Sequence, residues 1–180
     1  ISENQSILRE LQTARSALSN ERTRLRNRGH ILRNTVLKRL NKARLALVER
    51  QIAELNVEIS RHITSDVSLG RKREILCSLP GIGSIAAAMI LSFLPEIGCL
   101  DRKAAGSLAG LAPHSRESGQ WKGKSFISGG RKPLRDALYM PALVAMRFNP
   151  DLKAKYDSLR KAGKPAKVAI VALMRKLIET

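Results

Sequence analysis

The sequence predicts a mainly α fold, in which a long helical hairpin or coiled coil, residues 1–69, precedes a compact helical domain, residues 70–180. Three observations predict it. Helix breakers are segregated: residues 1–69 hold no proline and one glycine, Gly29, whereas eleven glycines and all seven prolines lie from Gly70 onward. Leu11, Leu18 and Leu25 recur every seven residues, and Leu45, Val48, Ile52, Leu55 and Ile59 step by three and four, the spacing of a coiled-coil seam. No alternating pattern is long enough to predict a strand, although Ser125-Phe126-Ile127 is able to pair briefly.

The elements follow in order. Gly29-His30 and Asn34-Thr35 mark a break between two long helices. The first helix has the weaker seam, because Arg15 and Arg22 stand where apolar residues belong. So narrow a stripe must cover itself with a partner, in an antiparallel hairpin or in a coiled coil with another subunit. A short polar link is expected over Thr64–Gly70. Beyond it, helices are predicted near 71–78, 84–94, 101–110, 132–147, 150–161 and 165–179. In the last, Val168, Val171 and Ala172 are expected to face the core, helped by Leu173 or Met174 and then Leu177, with Lys164, Lys167, Arg175 and Lys176 in water.

Charge narrows the function. Thirty-three Lys and Arg against fifteen Asp and Glu leave +18, a field that attracts polyanions. Six aromatic residues in 180 are too few for a base-stacking platform or a membrane anchor, and no apolar run is long enough to span a bilayer. The phosphate backbone of duplex or folded nucleic acid fits best. Hydrophobic residues make up 43%, enough for a buried core. Cys77 and Cys99 match no zinc or redox spacing and read as small buried hydrophobes in a reducing compartment. His30, His62 and His114 are far apart, so no metal site is predicted.

Two segments carry chemistry. Ser78-Leu79-Pro80-Gly81-Ile82-Gly83-Ser84 resembles the hairpin of helix-hairpin-helix DNA-binding motifs. In that reading Gly81 and Gly83 adopt conformations closed to other residues, and Ser84 caps the helix over Ile85–Leu94. The exposed amides then bind a backbone phosphate. A tight turn between two core helices needs the same glycines. The second segment, Ser115 to Arg135, holds six basic residues, one acid, four serines and four glycines. Such a loop can approach a phosphodiester, neutralise its oxygens and offer a hydroxyl to phosphorus. Residue chemistry alone leaves Ser115, Ser118, Ser125 and Ser128 equivalent. A solvated phosphate-binding loop, with every serine a hydrogen-bond donor, has the same composition.

A longer pattern selects among them. Arg73-Glu74-Ile75-Leu76 and Leu79-Pro80-Gly81-Ile82-Gly83 precede Leu108-Ala109-Gly110-Leu111-Ala112-Pro113 and Glu117-Ser118-Gly119. Ile127-Ser128, Leu134-Arg135-Asp136-Ala137-Leu138-Tyr139, Lys167-Val168-Ala169 and Met174-Arg175-Lys176-Leu177 follow. In order and spacing this resembles the C-terminal domain of the one-ten group of bacterial insertion-sequence transposases, to which the pilin-gene invertases are similar. The likeness spans roughly residues 71–180, and the helical pair before it resembles the family's coiled-coil segment.

The resemblance implies that Ser118 is the nucleophile of a DNA recombinase working through a covalent serine–DNA intermediate. It further implies a structured guide RNA, several subunits (a dimer or tetramer) around DNA, and a place in the bacterial cytoplasm beside the nucleoid. Family members carry an N-terminal RuvC-like domain whose acidic residues bind metal, so magnesium belongs to that domain. Nothing in this sequence matches it, and the chain is expected to bind nucleic acid without recombining alone. Arg116, Arg131 and Arg135 are expected to neutralise the phosphoryl oxygens, on proximity in sequence. Gly81, Gly83, Ser84, Lys122, Lys124 and Lys132 are the other expected nucleic-acid contacts. Trp121 is read as a loop or core anchor. Two rival readings are a non-catalytic nucleic-acid-binding and subunit-pairing module, and a helix-hairpin-helix DNA repair accessory, which has no use for a Glu-Ser-Gly loop.

Overall fold

The computed structural model describes residues 3–115, 117–118, 121–123 and 125–179, with the side chains of Glu117, Ser118, Trp121 and Lys122 left aside. It divides into two compact units, residues 1–70 and 71–180. The fold is mainly α, with eight helices and two two-stranded ladders among the described residues.

The first unit is an antiparallel hairpin of α1 (Glu3–Ile31) and α2 (Thr35–Ser65). Asn34 ends the turn between them as an N-cap, its side-chain oxygen accepting from the amides of Val36 and Leu37 at 2.9 and 3.2 Å. Leu25, Val48 and Ile52 form a buried cluster flanked by Leu18 and Leu45, so the predicted seam closes within one chain. The polar positions of α1 are met by polar partners. Arg15 donates to the Asn56 side chain at 2.5 Å, and burial together with the charge of Arg22 lowers its pKa. Further along, Asn4 donates to Asp66, and its carbonyl oxygen lies 2.9 Å from His62 Nε2.

The expected polar link over 64–70 is mostly helical. Only Asp66 breaks the run: its carboxylate accepts from the amides of Ser68 and Leu69, at 2.9 and 3.0 Å, and starts α3 (Val67–Ser78). A single N-cap therefore replaces the loop.

In the second unit α4 (Ser84–Phe93), α6 (Lys132–Phe148) and α8 (Ala166–Glu179) supply the core, with α5 (Arg102–Leu108) and α7 (Pro150–Lys161) packed on α8. Ile90, Leu91, Leu134, Leu138 and Leu173 are fully buried. Truncating one such leucine to alanine typically costs about 2–5 kcal/mol. Asn149 serves two helices at once. Its amide closes the last turn of α6 on the Ala145 carbonyl, while its side chain caps α7 ahead of Pro150 at the first helical position.

Two expectations are corrected here. Cys77 and Cys99 are exposed, not buried. In α8, Leu173, Met174 and Leu177 are buried as expected, but Val168 is half exposed and Val171 and Ala172 only partly covered, while Ala169, Ile170 and Ile178 are buried besides. Three helices, α5, α6 and α7, pack against α8, so its buried stripe is wider than the predicted one and leaves Val168 outside it. Among the described residues no helix is long and apolar enough to cross a membrane.

Candidate functional site

Between α5 and α6 the chain makes a nested β-hairpin. The outer ladder pairs β1 (Pro113–His114) with β4 (Phe126–Ile127), in the register Pro113↔Ile127 and His114↔Phe126. The inner ladder pairs β2 (Glu117–Ser118) with β3 (Trp121–Lys122), so Ser118 stands opposite Trp121 at its far end. The His114 and Phe126 rings lie 6.2 Å apart, tilted by 44°, across the outer ladder.

The base of this hairpin is held by backbone contact. The Arg131 amide donates to the Leu108 carbonyl at 2.7 Å, drawing the two ends of the segment together. Gly110 and Gly130 cross there with φ near +66° and +62°. A Cβ on Gly130 would lie 2.2 Å from the Gly110 nitrogen, so only two glycines permit the approach. Arg135 Nη1 donates to the Gly129 carbonyl at 2.8 Å and to that of Gly110 at 3.4 Å. Arg131 forms a bidentate pair with Glu96, both contacts 2.7 Å, and also donates to the Phe93 carbonyl at 2.9 Å.

That pair sets a pH dependence. Hydrogen bonding from Arg131 pushes the Glu96 carboxyl down to about 2 from its ordinary 4.5. A depressed carboxylate pKa stabilises the fold fully above the ordinary value, and the contribution is lost as pH falls from about 4.5 towards about 2. Both side chains are about a third exposed or more, so screening limits the gain to about 1 kcal/mol or less. In thermal melts Glu96→Gln should be less stable than the parent at pH 6, by roughly 2–4 °C, and the two should converge as the pH approaches 2.

The expected site residues are distributed unevenly. Arg116 and Lys124 lie outside the described residues, and Ser118 and Lys122 are described by backbone alone, in β2 and β3. Trp121 likewise contributes only backbone, so its expected anchoring role falls outside what is described. Arg131, expected near a phosphate, pairs with Glu96 and the Phe93 carbonyl, and Arg135 places Nη1 on backbone carbonyls at the hairpin base. Lys132 pairs with Asp136 one helical turn on. Glu96 was not foreseen, because a carboxylate 35 positions from its arginine leaves no local signal.

The glycine turn differs in detail from its expectation. Gly81 has φ +104°, and an added Cβ would fall 2.6 Å from the Pro141 carbonyl of α6, so the turn is packed into the core. Gly83 has ordinary extended geometry, with φ −88°, and open space around it. Ser84 is the first residue of α4 rather than its cap: Gly83 occupies the cap position, with no side-chain hydrogen bond. Gly83, Ser84 and Ile85 are exposed. Among the described residues no group of three or more His, Cys, Asp or Glu stands close enough to hold a metal.

Comparison with known proteins places this segment. Residues 73–157 match the family described as transposase IS116/IS110/IS902. The uncharacterized 42 kDa protein of insertion element IS900 from Mycobacterium paratuberculosis is 34% identical over 154 residues, 82% of this chain and 37% of that protein. The pilin gene-inverting protein of Moraxella bovis is 32% identical over 131 residues, covering 71% of the chain and 41% of that protein. The uncharacterized 43.6 kDa protein of insertion element IS110 from Streptomyces coelicolor is 30% identical over 128 residues, covering 70% and 30%. The chain thus spans about two fifths or less of the length of these relatives. The match runs from α3 through α7 and takes in the whole nested hairpin, and by it the chain carries a transposase domain of the IS116/IS110/IS902 family.

Proposed function

We propose that this chain is the serine-bearing part of a DNA recombinase, guided by a structured RNA, in which Ser118 attacks a scissile phosphate. The observation that carries the reading is the nested hairpin. Its base is fixed by the Gly110–Gly130 crossing and Arg135, and Ser118 belongs to the short strand at its far end. A hairpin rooted in this way can present one hydroxyl to a nucleic-acid backbone.

In the proposed step the Ser118 Oγ–P bond forms as one P–O bond to the adjoining deoxyribose breaks. The hydroxyl proton passes to the departing oxygen, which becomes a free hydroxyl. A hydroxyl from a second strand then attacks the same phosphorus, and the new P–O bond forms as the Ser118 Oγ–P bond breaks, the attacking hydroxyl's proton passing to Oγ. One phosphodiester is exchanged for another, so no nucleotide cofactor is consumed. With Arg131 paired to Glu96, neutralisation of the phosphoryl oxygens in this reading falls to Arg116, Lys122 and Lys124, and to the remaining guanidinium nitrogens of Arg135. Ser84 and Ile85 are exposed residues at the start of α4, where first-turn amides suit a backbone phosphate. Subunit pairing around two duplexes belongs to the same proposal.

The test is an alanine scan in the full reading frame that contains this chain. Ser115, Ser118, Ser125 and Ser128 are replaced in turn, and strand joining and DNA binding are measured. Only Ser118→Ala should lose joining while still binding DNA. An active Ser118→Ala enzyme overturns the assignment.

A further inference from the structure

We infer that the tip of the α1–α2 hairpin is a second nucleic-acid site, gripping the phosphate backbone of a duplex. Charge in this unit is segregated. Residues 22–48 hold nine Lys and Arg and no acid, whereas the rest of residues 1–70 holds four cations and seven acids. Cations that merely solubilise a helical hairpin are interspersed with acids along it, as they are towards its base. Here the two signs part.

The cross-helix pairs Arg26–Glu49, at 2.7 Å, and Arg44–Glu21, at 2.8 Å, bracket the tip. They neutralise Arg26 and Arg44. Arg24, Arg28, Arg33, Lys38, Arg39 and Lys42 are exposed and have no ion pair among the described residues. Six like charges on one short helical turn-around repel one another, and the arrangement is relieved by a polyanion.

Geometry suits a phosphodiester backbone. Arg24 and Arg28 on one helix, and Lys38 and Lys42 on the other, stand one turn apart, a rise of about 6 Å. Each such pair therefore steps roughly two phosphates along a strand, spaced about 3.4 Å on the helix axis. Residues 1–70 contain no aromatic residue, so stacking on unpaired bases is absent and contact is with the backbone. The same absence argues against a membrane surface, although Ile31, Val36, Leu37 and Leu40 are exposed on the tip. This site lies in the helical unit and does not rest on the role of Ser118.

The test uses the whole chain with a DNA duplex and an RNA duplex of about 20 base pairs, measuring affinity against salt concentration. Replacing Arg24, Arg28, Arg33, Lys38, Arg39 and Lys42 together by glutamine should make the slope of log affinity against log salt shallower by about 3 or more. The matched variant, with Arg24, Arg28, Arg33 and Arg39 changed to lysine, keeps the charge and should keep the parent slope. Circular dichroism checks that both remain helical. A shallower slope with either duplex supports the site and tells DNA from RNA. Unchanged slopes with both duplexes overturn it. So does a six-residue variant that keeps its duplex slope and loses binding to anionic phospholipid vesicles. Ser118→Ala should bind with the parent slope, which separates this site from the serine reading.

Discussion

Gly130→Ala is expected to unfold the base of the hairpin, whereas Gly129→Ala next to it is expected to be mild. The two glycines share nearly the same backbone, with φ of +62° and +67°. An alanine at either therefore meets the same left-handed penalty, roughly 1–2 kcal/mol. They differ in what surrounds them. Nothing lies within 4 Å of a Cβ at Gly129, but at Gly130 it would sit 2.2 Å from the Gly110 nitrogen and 2.8 Å from the Leu108 carbonyl. Both obstacles are backbone, so one strand must move and the Arg131–Leu108 hydrogen bond must break. A total loss of about 4 kcal/mol or more follows, at the extreme of single-substitution effects. Urea unfolding followed by the fluorescence of the single Trp121 and by circular dichroism would separate local from global loss. Equal midpoints for the two variants would show that the crossing is not tight.

The second large effect is on chemistry. Ser118→Ala removes the proposed attacking oxygen and leaves the hairpin backbone intact. Joining should fall by at least about 10⁴-fold, equivalent to about 5.5 kcal/mol of barrier. Water is no substitute for this step. It can hydrolyse a phosphodiester, but the product is then a cut strand with no stored bond to pass on, so any residual activity should be nicking rather than joining. The other three serines should change the rate only a few-fold.

How legible the molecule was depends on the length scale of each interaction. The long helices were read from heptad spacing, because periodicity is local. Asp66 was missed for the opposite reason: a residue that both ends one helix and caps the next looks, in sequence, like a polar link. The turn of α8 that leaves Val168 exposed depends on three helices packing around it. Likewise the pairing of Arg131 with Glu96, and the contact of Gly81 with α6, join residues far apart in the chain. Such partners give Arg131, and Nη1 of Arg135, a place at the hairpin base that sequence proximity did not reveal. The choice of Ser118 over its three neighbours came from resemblance, since residue chemistry made them equal.

The central claim is that Ser118 carries the DNA covalently, and it can be measured on one peptide. Trypsin cuts after Arg116 and after Lys122, releasing Glu117-Ser118-Gly119-Gln120-Trp121-Lys122, which contains a single serine. The full-length protein would be trapped on DNA interrupted beside the scissile phosphate, denatured, digested and analysed by mass spectrometry. The account predicts a nucleotide phosphate on that peptide. A nucleotide on any other peptide, or cleaved DNA with no covalent protein, would contradict it.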